Sequence, residues 1–96
     1  MKVDVYESED IIVAVEGQTI VIIDSVEGEA PVDVFQDGKW VSYDYENYPP
    51  KIEVIVDKAI VIADDYESMG FADMPEEIKR QLPKELQEII EIEMGG

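Results

Sequence analysis

Residues 11–24 read IIVAVEGQTIVIID. Two apolar, β-branched runs flank Gly17-Gln18, a pair that suits a two-residue hairpin turn with glycine at the first central position. That turn sets the register. It pairs Val15 with Ile20 and Val13 with Ile22 on one face, and Ala14 with Val21 and Ile12 with Ile23 on the other. Both faces are apolar, so this hairpin belongs at the centre of a sheet covered on both sides.

Working outward, residues 32–45, VDVFQDGKWVSYDY, hold Asp37-Gly38, the strongest hairpin signal in the chain. It pairs Phe35 with Trp40 on one face, and Val34 with Val41 and Val32 with Tyr43 on the other, which is expected to be the core face. Residues 52–64, IEVIVDKAIVIAD, also alternate around a polar pair, Asp57-Lys58. They read as a third hairpin, with Val54 opposite Val61 and Ile55 opposite Ile60. KVDVYES at 2–8 reads as a first strand, SVEGEAP at 25–31 as a polar loop, and Tyr48-Pro49-Pro50 as a strand stop.

The period changes near the C-terminus. Ile78, Leu82, Leu86, Ile89 and Ile90 form a helical stripe. Asp73 followed by Glu76 fits an N-cap with an acidic third residue, and Pro83 predicts a kink or two short helices. The expected organisation is one domain over 1–96: a β meander at 1–66, a loop at 67–74, a helical segment at 75–92 and a frayed tail at 93–96. The expected fold class is α+β, mainly antiparallel β, with six to seven strands in a rolled sheet or small open barrel and a C-terminal helix packed on it. That order of elements is similar to the pleckstrin-homology arrangement, without a shared motif.

The chain has 96 residues, with 24 acidic against 7 basic side chains, for a formal net charge of −17. Residues 1–74 carry 18 of the acids and 4 of the bases. Such a surface repels nucleic acid and anionic membranes and attracts basic proteins and cations. There is no His and no Cys, which removes the commonest general base, the thiolate nucleophile, disulfides and thiolate metal sites. No glycine elbow or phosphate-cradling loop occurs. An enzyme is therefore not expected. No early basic segment leads into an apolar run, and no apolar stretch approaches the length of a membrane span, so the expected location is cytoplasmic.

Three functional readings remain. The first is a non-enzymatic acidic protein that binds a basic partner, in particular a nucleic-acid-binding protein that it regulates as a DNA mimic. Its candidate contact residues are Phe35 and Trp40 together with Tyr43, Asp44, Tyr45, Glu46 and Tyr48 of SYDYENY, because tyrosine buries area with few rotors and keeps a polar tip. The competing reading of the Phe35–Trp40 pair is cross-strand packing, and that of Tyr43 is a core position. The second is weak binding of Ca²⁺ or Mg²⁺ by acidic loops, at Asp64, Asp65 and Glu67 or at Asp24, Glu27 and Glu29, without EF-hand spacing. No organic cofactor is expected. The third starts from the terminal Gly95-Gly96, which resembles the tail of ubiquitin-like carriers. Those carriers place a helix after the first hairpin and run the tail from a last strand, an order not read here.

Overall fold

The computed structural model describes residues 2–9, 11–24, 31–44 and 47–95. Five strands run as an antiparallel meander: β1 (Asp4–Ser8), β2 (Ile11–Glu16), β3 (Thr19–Ile23), β4 (Val32–Gln36) and β5 (Lys39–Tyr43). A helix, α1 (Pro50–Asp64), follows, then a two-residue strand, β6 (Met69–Gly70). A single 3₁₀ turn at Phe71–Asp73 leads to α2 (Glu76–Gln81) and α3 (Lys84–Gly95). The strand order is β5-β4-β3-β2-β1-β6, with β6 parallel to β1. The fold is α+β: an open six-stranded, mostly antiparallel sheet with C-terminal helices packed against it.

The central hairpin adopts the register its turn dictates. Val15 faces Ile20, Val13 faces Ile22, Ala14 faces Val21 and Ile12 faces Ile23. Gly17 supplies the positive φ, at 59°, that the turn needs. Asp37 and Gly38 both take positive φ, 55° and 82°, and fix Phe35 opposite Trp40, Val34 opposite Val41 and Val32 opposite Tyr43. Every residue of β3 is buried, as a strand covered on both faces must be.

Two cores result, one on each face. On the first, Val5, Ile12, Ala14, Val21, Ile23, Val32 and Val34 pack against Ile52, Ile55, Val56 and Ala59 of α1. On the second, Tyr6, Val13, Val15, Ile20 and Ile22 pack against Phe71, Met74, Leu82, Leu86 and Ile90. Each aliphatic side chain so buried contributes about 1.5–3 kcal/mol. The chain threads both faces because β5 and β6 lie at opposite edges: α1 carries it across one face, and α2 and α3 return over the other.

Residues 52–64 therefore correct the third hairpin: they are helical. Three features outweigh their β-branched composition. Pro50 occupies the first turn, where its missing N–H and fixed φ favour a helix start. Asp57-Lys58 lacks the glycine that a tight hairpin wants. Ile52, Ile55, Val56 and Ala59 also fit the i, i+3, i+4, i+7 spacing, and the open sheet face rewards that stripe with burial. Tyr48-Pro49-Pro50 is thus a helix start rather than a strand stop. The β meander ends at Tyr43 rather than at 66, and the sheet is open. With a long helix between strands, the pleckstrin-homology order does not hold.

The C-terminal stripe covers the protein's own sheet: Leu82, Leu86 and Ile90 are buried, with Ile78 and Ile89 packed beside them. Pro83 separates α2 from α3. Its carbonyl accepts from the N–H groups of Leu86 and Gln87, and the Gln87 side chain donates to the Leu82 carbonyl at 2.8 Å. Three sequence expectations fail here. Pro75, not Asp73, precedes α2, and no side chain caps it. The 67–74 segment contains β6 and the 3₁₀ turn, and α3 runs through residues 93–95 of the expected tail.

Candidate functional site

The aromatic residues expected to meet a partner are mostly occupied. Phe35 and Trp40 meet across β4 and β5 with ring centroids 5.2 Å apart and planes tilted by 49°, and they pack against the second core. The Trp40 indole donates to the Gln81 carbonyl at 3.1 Å, tying the edge strand to the end of α2. Tyr43 and Tyr48 are half-buried against the first core. Asp44 is exposed, while Tyr45 and Glu46 lie outside the described residues. Among the described residues, Tyr43 and Tyr48 of SYDYENY and the neighbouring Phe35–Trp40 pair are thus committed to packing.

Asp64, Asp65 and Glu67 are exposed at the end of α1, and among the described residues no three acidic side chains gather closely enough to hold a metal ion. Asp24 is exposed, and Glu27 and Glu29 lie outside the described residues. Gly95 is the last residue of α3, and Gly96 lies outside the described residues. A shallow groove of about 370 Å³ runs between two hairpin tips and α2, lined by Gly17, Phe35, Gly38, Glu77 and Ile78 among others. Tyr6 has its phenol pushed above the ordinary value of 10.0 by burial and by the charges of Asp4 and Asp73, so it stays protonated near neutrality.

What the structure does present is the outer surface of α1. Opposite the buried stripe stand Val54 and Val61, 44% and 57% exposed. They are seven residues apart, about two turns and about 10 Å along the axis. Glu53, Asp57 and Asp64, at i, i+4 and i+11, share one row beside them, and all three are exposed. Exposed valine is not what helix stability selects, since it lies below alanine by up to about 0.7 kcal/mol.

Tyr66 completes this surface. It is 94% exposed and sits just past the end of α1 with φ of 58°. The N–H of Tyr66 bonds to the Ala63 carbonyl and that of Glu67 to the Ile62 carbonyl, at 3.1 and 3.0 Å. This paired closure normally uses glycine at the position Tyr66 occupies. A side chain held there costs about 1 kcal/mol. The next residues are anchored too: Ser68 donates from its hydroxyl to Glu7 at 2.8 Å, and Met69 and Gly70 pair with Tyr6 and Glu7 of β1. An exposed tyrosine is thus displayed from a fixed backbone, among Asp64, Asp65 and Glu67.

With residues 52–64 taken as a hairpin, Tyr66 has no distinctive place in the sequence. The available signal was the absence of glycine after a long apolar run. No protein-family model, curated protein or solved structure gives a significant match to this chain.

Proposed function

We propose that this protein is a small, non-enzymatic, acidic binding protein that docks on a basic, nucleic-acid-binding partner and occupies its cationic groove in place of DNA. One observation carries the reading: the amount of negative charge that nothing in the chain can neutralise. If each of the 7 bases paired with a separate acid, 17 carboxylates would still stand alone. Spread along the longest dimension of 37 Å, they amount to one charge per roughly 2.2 Å. Duplex DNA carries one per about 1.7 Å. No Asp or Glu is buried among the described residues, so the charge faces outward. A field of that density steers cationic proteins and attracts them over a Debye length, about 8 Å at physiological salt.

The test is retention from native lysate on the immobilised protein, with elution by rising salt and identification by mass spectrometry. The expected result is one nucleic-acid-binding protein held well above about 0.15 M salt and released by duplex DNA. A broad set of basic proteins leaving together near that salt, whether or not DNA is added, contradicts the proposal.

A further inference from the structure

We infer that the partner docks along the outer face of α1, with Tyr66 as anchor and a Lys/Arg-rich amphipathic helix as the element that meets it. This rests on the basic-partner reading above and names its surface.

Val54, Val61 and Tyr66 are each exposed where the fold alone would favour alanine, alanine and glycine. All three lie along one helix and its closing turn. Glu53, Asp57 and Asp64 run along one side of the two valines and the exposed Lys51 and Lys58 along the other, and with Asp65 and Glu67 at the closing end the ridge keeps a net negative charge. A helix packed alongside suits a straight ridge of two turns. Its apolar side chains meet Val54 and Val61. Its Lys and Arg stems cover the ridge while their charged heads reach the acidic row.

Charge selects the occupant. A second copy would bring another −17 against this one. Nucleic acid and anionic lipid are repelled by the same field. Tyr66 suits an anchor because its backbone is fixed on both sides, before it by the Asp65 N–H to Val61 and after it by the Glu67 N–H to Ile62 and by Ser68 to Glu7, so little backbone order remains to be imposed on binding. Among the described residues the other exposed large apolar side chains stand on separate elements, Val41 on the β5 edge, Met69 on β6 and Ile92 on α3, and form no such row.

The test is an amide NMR titration at about 0.15 M salt with two synthetic probes, an amphipathic Leu/Lys helical peptide and an all-lysine peptide of equal charge. The Leu/Lys peptide is expected to shift the amides around Val54, Asp57, Val61 and Tyr66 and to bind about tenfold more tightly than the all-lysine peptide. Tyr66→Gly is expected to raise the melting temperature and yet to weaken the Leu/Lys peptide about tenfold. Val61→Ser supplies a second variant, expected to lower affinity while leaving the spectrum otherwise unchanged. Preferred Leu/Lys binding with shifts on a different face overturns the surface and leaves the basic-partner reading intact. Equal, weak binding of both peptides that disappears at this salt overturns both. A Tyr66→Gly protein that is more stable with unchanged affinity removes Tyr66 as the anchor.

Discussion

Residues 11–24 and 50–64 are both rich in Ile and Val, and both carry a polar pair near the middle. One is a hairpin and the other a helix, and the two pack within a single molecule. Apolar content is nearly the same in the two, so it cannot be what separates them. The separating features are few and local. Gly17 can take positive φ at the centre of the first stretch, whereas the second offers Asp57-Lys58. The second begins with Pro50, which starts a helix well and cannot complete a ladder. Once the hairpins close, the sheet exposes an apolar face that only a helical stripe from 50–64 covers.

The largest effect expected from breaking this contrast lies in the two cores. Ile20 and Ile55 are fully buried on opposite faces of the sheet, at 1% and 0% exposure. Replacing either by alanine is expected to cost about 2–5 kcal/mol in denaturant unfolding. Losses of similar size would show that both faces are structural. A negligible loss at Ile55 would mean that α1 does not cover the sheet.

Asp57→Pro comes next. Proline inside α1 removes a hydrogen bond and collides with the preceding turn, an expected loss of about 3 kcal/mol. An unchanged unfolding midpoint would contradict a continuous helix. Gly17→Ala sharpens the other side. Space around Gly17 is open, so the only cost is positive φ, about 1 kcal/mol. A neutral result there would mean that the turn does not depend on glycine.

Tyr66→Gly should act in the opposite direction, adding about 1 kcal/mol of stability by relieving positive φ at the end of α1. Destabilisation would show that the tyrosine supports the fold rather than a partner. The smallest expected effect concerns Tyr6. Its folded pKa is raised, so the folded state holds the phenolic proton more tightly than the unfolded chain. The stability this contributes is present below the unfolded value of 10.0 and is lost as pH rises through the folded value. Tyr6→Phe should flatten that alkaline decline, and an unaltered profile would assign it to other groups.

The register of both hairpins was legible in the sequence because it follows from Gly17 and from Asp37-Gly38, residues whose backbone demands are local. The C-terminal stripe was legible because Leu82, Leu86 and Ile90 keep helical spacing across Pro83. Residues 52–64 were not. Their spacing fits both periods, and the sheet face that decides between them is assembled from distant strands. That one misreading hid the candidate surface as well. In a hairpin, Val54 and Val61 oppose each other across two strands. In a helix they share an outward row, and Tyr66 becomes its closing residue. The aromatic pair at Phe35 and Trp40 was a strong signal, but of cross-strand packing, and the Trp40 bond to Gln81 depends on a helix the hairpin cannot foresee.

The most direct measurement is the backbone NMR assignment of residues 50–66. A helix gives helical Cα shifts, sequential amide–amide contacts through residues 52–63, and contacts from the Ile55 methyls to the apolar side chains of β2 and β3. Extended shifts with a cross-strand contact between Val54 and Val61 would contradict it, and would remove both the cover on the first face of the sheet and the proposed docking ridge.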